Sequence, residues 1–306
     1  MDLTEAVLIT IVTASTPLLL AAIGELVVER AGVLNLGVEG MMIVGAVAAF
    51  AAAYGTGSAT LGILSGALAG VALSLLFALF AVLIATNQVA TGLALTLFGL
   101  GLAGLIGEPF VGKPGLRLDA LPIPGLSAIP VIGPAFFTRD VLVYLSFILV
   151  VGVSLFLARS RAGLVLRAVG ENPEAAQNLG YRVRLIRIAA VAFGGACSGL
   201  AGAHLSLAYT PQWAEGMTGG RGWIALALVV FATWMPSRVF LGAYFFGAIA
   251  ILQLHAQAVG LGLPSQAMTA LPYIATIIAL VLLSRDAILL RRHTPAALGR
   301  PYVPVR

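Results

Sequence analysis

Residues 40–107 read GMMIVGAVAAFAAAYGTGSATLGILSGALAGVALSLLFALFAVLIATNQVATGLALTLFGLGLAGLIG. These 68 consecutive positions contain no Asp, Glu, Lys or Arg. A helix crosses a bilayer with roughly 20 apolar residues, so this stretch is long enough for three crossings. Residues 239–284 form a second charge-free run of 46 positions, which is long enough for two. Both runs predict helices that lie in lipid.

The composition of the whole chain supports the same interpretation. Hydrophobic residues make up 60% of the 306 residues and charged residues only 9%, whereas soluble domains carry about 25% charged residues. We therefore predict an all-α polytopic membrane protein that forms a single transmembrane domain over residues 1–306 and has about nine transmembrane helices. The predicted crossings are 5–24, 34–54, 59–85, 89–107, 140–158, 188–208, 222–235, 239–259 and 267–284.

The arginines predict the orientation of these helices. If the N-terminus is outside and the C-terminus cytoplasmic, 13 arginines lie inside and only Lys113, Arg117, Arg139 and Arg221 lie outside. Cytoplasmic loops are enriched in Lys and Arg, so we expect this orientation, and an odd number of crossings agrees with it. The net charge of +5 then reflects membrane topology rather than nucleic-acid binding, since the sequence has no compact basic domain to hold phosphates.

Two glycine-rich polar segments, 32–40 and 219–223, each precede an apolar helix in two loosely related halves of opposite orientation. The predicted crossing 222–235 has 14 residues and is too short for a bilayer core of about 30 Å. Non-helical backbone must complete it, in contact with protein or water. Broken helices at matching points of two halves indicate a transport pathway near the membrane midplane.

The candidate pathway residues are polar or aromatic side chains within or shortly before these breaks, together with a polar pair on a later helix. They are Glu25, Glu29, Asn35, Glu39, Trp223, Gln253 and Gln257. A charge at the bilayer centre costs roughly 2.5–3.5 kcal/mol on insertion scales. The three glutamates therefore form either a charged hinge at the inner mouth or a lining of the route. The two glutamines, one helical turn apart, are either contacts between helices or pore lining.

The predicted cytoplasmic loop 159–187 contains a short helix with clear boundary signals, whereas the predicted outer loop 108–139 is rich in Pro and Gly. Asn172 can cap a helix that starts at Pro173, and Gly180 can end it. Its short apolar face has nothing of its own to pack on, which favours docking of a partner. The docking residues that we predict are Arg167, Gly170, Glu171, Asn172, Pro173, Ala175, Ala176, Leu179 and Gly180.

Two familiar nucleotide-binding patterns occur but lack the context that their chemistry needs. Residues 99–104 fit G-x-G-x-x-G inside an apolar helix, where close helix packing explains the small residues better. Residues 107–113 fit G-x-x-x-x-G-K, but Pro114 follows instead of the Ser or Thr that ligates magnesium. His204 and His255 have no partner at ligand spacing. We expect no cofactor, no metal and no catalytic residues in this chain.

Four separated motifs resemble the permeases of ABC importers in the ribose, simple-sugar and nucleoside group. They are residues 24–40 (GELVVERAGVLNLGVEG), the loop 167–180, residues 263–273 and the tail 295–302 (PAALGRPY). The first is similar to the hallmark of the nucleoside-type branch. The resemblance covers residues 3–302 and implies a multi-pass protein of the plasma or inner membrane of a prokaryote. It also implies that loop 167–180 is a coupling helix, which docks on an ATPase.

The resemblance further implies the partners. A second permease subunit, two cytoplasmic ATPase subunits that bind ATP and magnesium, and an extracytoplasmic solute-binding protein are expected in addition to the lipid bilayer. This chain is similar to the shorter permease of a heterodimeric pair, so the second permease is expected to be a different, longer chain. The solute is expected to be a nucleoside or a simple sugar. The alternative is a proton-coupled secondary transporter that uses the acids at 25, 29 and 39 as a proton relay.

The arginine bias gives a direct test of orientation. In a Cys197→Ala background, a cysteine at Ser127 should react with an impermeant thiol reagent in intact cells, and one at Gln177 should react only after the cells are opened. Labelling of both variants after lysis provides the control for accessibility. The reverse pattern in intact cells would overturn both the orientation and the cytoplasmic docking loop.

Overall fold

The computed structural model describes residues 3–258, 270, 274, 277, 278, 281 and 294–303. Within these residues the chain is mostly helical, with irregular connections and a two-stranded antiparallel hairpin of β1 (Leu121–Pro122) and β2 (Thr138–Arg139). The helices are α1 (Leu3–Arg30), α2 (Val38–Thr56), α3 (Ala59–Ala78), α4 (Gln88–Gly107), α5 (Ile132–Phe136), α6 (Val141–Arg159), α7 (Arg161–Glu171), α8 (Pro173–Asn178), α9 (Val183–His204), α10 (Arg221–Phe231) and α11 (Pro236–Ala258). A π-helical turn prolongs α3 to Leu83 and another prolongs α9 to Tyr209.

Seven of these helices are long and apolar enough to cross a membrane: α1, α2, α3, α4, α6, α9 and α11. The shorter apolar helix α10 has 11 residues. The structure therefore confirms the all-α polytopic membrane fold. The predicted crossing 267–284 lies outside the described residues except at positions 270, 274, 277, 278 and 281.

Some helix boundaries differ from the sequence predictions. The first helix was predicted to end at residue 24, but α1 continues to Arg30, because Glu25 and Glu29 are buried against other helices and do not mark a membrane surface. The second crossing was predicted from residue 34, whereas α2 begins at Val38 after an irregular segment. The seventh, predicted over 222–235, is shorter still, since α10 ends at Phe231. The loop 159–187 is mostly helical, as α7 and α8.

Glycines allow the central helices α2, α3 and α9 to touch through their backbones. A Cβ atom on Gly70 of α3 would lie 2.1 Å from the carbonyl oxygen of Gly195 in α9, and one on Gly99 of α4 would lie 2.8 Å from Cα of Gly40. Such close approach is the packing that small residues permit between membrane helices. The glycine at position 99 therefore has the packing role that we predicted for the pattern 99–104.

The bundle has two ends, which we call the α7 end and the hairpin end. The α7 end carries α7, α8, the last turn of α1 and the tail 294–303, because Gly170 of α7 packs on the Arg30 carbonyl and accepts a hydrogen bond from Ala297. The hairpin end carries β1, β2 and α5. Helix α6 joins the two ends and has 19 residues, which correspond to about 28 Å.

Candidate functional site

Helix α2 starts part-way across the bundle. A Cβ atom on Gly40 would lie 2.8 Å from Cα of Thr96, and Thr96 is near the middle of α4, which runs from Gln88 to Gly107. The chain reaches this point from the end of α1 through the irregular segment 31–37. The end of this segment therefore lies beside the middle of a helix that is long and apolar enough to cross a membrane, where exposed backbone polar groups would be unfavourable.

Side chains from α1 and α4 satisfy the backbone of this segment. The Leu34 amide donates to Gln88 Oε1 at 2.8 Å, and the Asn35 amide donates to Glu25 Oε1 at 3.2 Å. The Thr96 hydroxyl donates to the Leu36 carbonyl at 2.9 Å. Because buried backbone groups must be paired, these contacts fix the path of the segment and the position at which α2 can begin.

The start of α10 meets the start of α2 through one carboxylate. Glu39, in the first turn of α2, is only 3% exposed. Its Oε1 accepts from the Thr218 hydroxyl at 2.6 Å and the Gly220 amide at 2.8 Å, and its Oε2 accepts from the Gly222 amide at 2.6 Å. A carboxylate is favourable at a helix N-terminus, where free amides and the helix dipole attract negative charge. We call this contact the Glu39 junction.

Glycine is required where the two helices meet. A Cβ atom on Gly222 would lie 2.6 Å from both the backbone nitrogen and Cα of Glu39. Gly220 has φ of +80°, the left-handed conformation that residues with a side chain rarely adopt. The glycine-rich segment 219–222 thus lets the amides at the start of α10 reach the Glu39 carboxylate.

A second polar junction joins the end of α1 to the turn between α10 and α11. The Trp234 indole donates to Glu29 Oε2 at 2.6 Å. The backbone carbonyl of Trp234 accepts from two nitrogens of the Arg30 guanidinium, at 3.0 and 3.3 Å. Thr233 and Trp234 have φ of +49° and +54°. Non-glycine residues in this region cost of order 1–3 kcal/mol each, so the surrounding contacts must hold the turn in place.

A cavity of about 480 Å³, widely open to the surface of the bundle, lies between these two junctions. Its lining is apolar except for Glu29, and it comprises Glu29, Leu34, Leu36, Leu93, Trp223, Leu226, Ala227 and Val230. Trp223 is 48% exposed, so its indole is available to this space. Within the described part of the chain, Glu29 Oε1 has no hydrogen-bond partner.

The structure brings together five of the seven predicted pathway residues. Glu25, Glu29, Asn35 and Glu39 are each at most 3% exposed, in the region around segment 31–37, and Trp223 follows directly on Gly222. In this conformation the three glutamates hold irregular backbone and helix ends. The two interpretations of these acids, a charged hinge at the inner mouth and a lining of the route, both stay predictions.

Gln253 and Gln257 lie elsewhere. Helix α11 starts near Trp234 and runs back along α1, with Gly247 packed against Ser15. Residues beyond Gly247 are therefore farther from Glu29 and closer to the hairpin end. The structure separates these two glutamines from the other five candidates.

The sequence analysis missed several residues that position these elements. Thr218 and Trp234 complete the two junctions, and Gln88 and the buried Arg187 support the backbone at the α7 end. The cluster of glycines before α10 was a signal for the first junction. For the others no signal was visible, since their partners are distant in sequence.

The predicted short helix of the loop 159–187 is present as α8. The Asn172 side chain accepts from the Ala175 amide at 3.0 Å, Pro173 is the first residue, and Gly180 follows with φ of +86°. Leu179 is 76% exposed, and Glu171, Asn172, Ala175 and Gly180 are exposed as well. These residues form an exposed face at the α7 end.

Of the nine predicted docking residues, two are buried and do not belong to this face, and another two, Arg167 and Pro173, are half-buried. Ala176 is 3% exposed and packs with Val169, Val183 and Tyr302 in the chain's own core. Gly170 is buried as well, because a Cβ atom there would lie 2.1 Å from the Arg30 carbonyl. The sequence suggested an unpartnered small-residue face, but the tail residue Tyr302 covers the part around Ala176.

Comparison with known proteins decides the family. Residues 7–283 match the family described as branched-chain amino acid transport system / permease component. The chain belongs to this family. No solved structure matches it.

Curated relatives of similar length carry more specific names. A putative glucose ABC transporter permease of Haloferax volcanii is 43% identical, with 95% of each chain covered. A nucleoside ABC transporter permease of Lactococcus lactis is 33% identical with 94% of each covered, and a guanosine ABC transporter permease of Bacillus subtilis is 32% identical with 94% of this chain and 93% of the relative covered.

The chain is thus an ABC transporter permease component, which confirms the resemblance found in the sequence and a role in transport rather than catalysis. Such a permease works in a membrane with ATPase and substrate-binding partners. The relatives do not support the alternative of a proton-coupled secondary transporter. A permease of this kind also fits the expectation that the chain itself carries no cofactor.

The Glu39 junction generates a prediction about transport. Glu39→Gln keeps one acceptor oxygen but replaces the other with an NH2 group. This group would point at an N–H or O–H that donates to the carboxylate in the native protein. Hydrogen bonds to charged groups contribute about 1.5–3 kcal/mol, so uptake should fall about tenfold or more. Thr218→Val removes only one of the three donors and should have the smaller effect.

Uptake is measured in cells together with the amount of assembled complex recovered through a tag on this chain. We expect near-normal assembly for both variants. Wild-type uptake in Glu39→Gln would show that the junction holds structure without influencing transport.

Proposed function

We propose that this chain is the permease subunit of an ATP-driven importer for nucleosides or simple sugars in the plasma membrane of a prokaryote. The observation that carries this proposal is the Glu39 junction, where two interrupted helices meet inside a member of the ABC permease family. Irregular backbone at such depth is tolerated only beside protein or a water-filled route, and helix interruptions of this kind mark binding or passage sites in transporters.

The proposed orientation places the N-terminus outside and the α7 end in the cytoplasm. The arginines support it: Arg30, Arg159, Arg161, Arg167, Arg182, Arg184, Arg187, Arg238 and Arg300 belong to the α7 end or to segments that join it. Positive charge concentrates on the cytoplasmic side of membrane proteins. The hairpin end, with α5 and the loop before it, would then face the solute-binding protein.

The proposed route passes the cavity beside Trp223. An indole face and an apolar wall suit the ring of a nucleobase or the apolar face of a sugar, and Glu29 at the edge could accept a hydrogen bond from a hydroxyl or amino group. Glu25, Asn35 and Glu39 would shape the route by holding the helix starts. Gln253 and Gln257, nearer the hairpin end, would contact the solute only toward the outer mouth.

The names of the relatives support the proposed solute class. Proteins named for glucose, nucleosides and guanosine are 32–43% identical to this chain over nearly its full length. The family description also mentions branched-chain amino acids, which carry a charged ammonium and carboxylate. The lining of the cavity has one carboxylate and no basic side chain, which suits a neutral solute better.

Uptake assays can separate these solutes. Cells that express the complete transporter should accumulate labelled guanosine or glucose, and depletion of ATP should abolish accumulation. Leucine provides the contrasting solute, and cells that lack the ATPase subunits provide the background. Accumulation of leucine with neither of the other two would contradict the proposed solute class while leaving the permease family intact.

The exposed face of α8 is the proposed docking site for the ATPase. Leu179 presents a large apolar side chain to solvent at the α7 end, and an aliphatic side chain of this size can act as an anchor in a pocket of a partner. Two ATPase subunits would bind ATP and magnesium. A second, longer permease would provide the other half of the assembly and the other docking helix.

A pair of leucines tests this docking site. Leu179→Asp should abolish copurification of the ATPase, because an unpaired charge would be buried at the interface. Leu164→Asp changes an exposed leucine of α7, 58% exposed, outside α8 and should leave copurification near normal. Both variants should insert in normal amounts. Full recovery of the ATPase with Leu179→Asp would exclude this face as the docking site.

A further inference from the structure

The tail 294–303 is bound to the proposed docking segment. The Ala297 amide donates to the Gly170 carbonyl at 2.9 Å, and the Ala296 amide donates to Glu171 Oε2 at 3.4 Å. Tyr302 is 6% exposed, packs against Ala176 and forms a hydrogen bond through its hydroxyl with Gln177 Oε1. A displacement of α7 and α8 must therefore carry the tail with it.

The same tail is bound to the interior of the bundle. The Arg300 carbonyl accepts from Gln88 Nε2 at 3.3 Å and from the Arg187 guanidinium at 3.4 Å. Gln88 and Arg187 are each 1% exposed. The tail is therefore in contact with two buried side chains that belong to α4 and α9, in addition to its contacts with α7 and α8.

Each of these two side chains also holds the irregular segment before α2. Gln88 Oε1 accepts from the Leu34 amide at 2.8 Å, and Arg187 Nε donates to the Ala31 carbonyl at 3.2 Å. A single amide group thus joins Arg300 to Leu34, and a single guanidinium joins Arg300 to Ala31. The segment from Ala31 to Leu34 leads directly to Asn35, α2 and the Glu39 junction.

We propose that the tail, Gln88 and Arg187 form a link that transmits movement of the docked α7 and α8 to the interrupted start of α2. This inference rests on the proposed docking of an ATPase at the α7 end. Gln88 and Arg187 are positioning residues: they act on segment 31–37 and have no contact with solute in this proposal. Because a hydrogen bond resists displacement of either of its partners, solute binding would also reach the ATPase through these contacts.

The link differs from a purely structural role in one measurable respect. A structural contact that is lost lowers the amount or stability of the complex. A transmitting contact that is lost leaves the complex intact but separates hydrolysis from transport. The quantity to measure is the coupling ratio, the number of ATP molecules hydrolysed per solute molecule transported, in proteoliposomes that contain the complete transporter.

Two substitutions of Gln88 locate the effect. Gln88→Met keeps the volume and removes both hydrogen bonds. Gln88→Glu keeps an acceptor for the Leu34 amide and replaces the donor to the Arg300 carbonyl with a charged acceptor oxygen, so of the two hydrogen bonds only the one with the tail is lost. Gln212→Met, at an exposed position of the hairpin end, is the control for loss of a glutamine.

We expect both Gln88 variants to assemble with the ATPases and to retain basal hydrolysis, while their coupling ratio rises about tenfold, a change of about 1.4 kcal/mol in coupling. Gln212→Met should have the wild-type ratio. An unchanged ratio in Gln88→Glu, or loss of the assembled complex in both variants, would overturn the link. The outcome is separable from the docking proposal, since docking at α8 is tested by recovery of the ATPase with Leu179→Asp.

Discussion

The structure depends on one carboxylate that joins two helix starts inside the bundle. Glu39 accepts three hydrogen bonds from residues 218–222 while it is 3% exposed. In a low-dielectric interior each of these contacts is stronger than in water, and an unmade contact is correspondingly costly. Helices α2 and α10 can therefore begin in the interior only if their first turns are in contact with each other. The short length of α10 and the late start of α2 both follow from this constraint.

The charged residues near this junction also stabilise the places where helices are interrupted. An isolated carboxylate among apolar helices is expensive, yet Glu25 and Glu29 are fully buried. Each holds a group that would otherwise lack a partner: the Asn35 amide in one case and the Trp234 indole in the other. The acids thus allow non-helical backbone and a turn with two left-handed residues to exist at depth. The polar groups of residues 25–39 therefore stabilise the break between α1 and α2.

The sequence predicted the parts of the fold that depend on local chemistry. Charge-free runs gave most of the helices, and Asn172, Pro173 and Gly180 gave the short helix α8, because capping is decided by neighbouring residues. It failed where partners are distant in sequence. The burial of Ala176 depends on Tyr302, and the end of α1 depends on Trp234. The separation of Gln253 from Glu29 depends on how α11 runs along α1. No pattern among neighbouring residues in the sequence indicates any of these contacts.

The two kinds of contact in this bundle respond differently to force. Where α3 and α9 meet, glycines place backbone on backbone, so no side chain can rotate to permit sliding. Helix α10 also meets backbone at its first turn, where Gly222 touches Glu39, but hydrogen bonds hold both of its ends, to Glu39 and through the following turn to Glu29 and Arg30. Hydrogen bonds can break one at a time and be replaced by water or by a solute hydroxyl, whereas interlocked backbones cannot. Movement that opens a route should therefore begin at α10 and at segment 31–37, with the helices packed through glycine as the rigid frame.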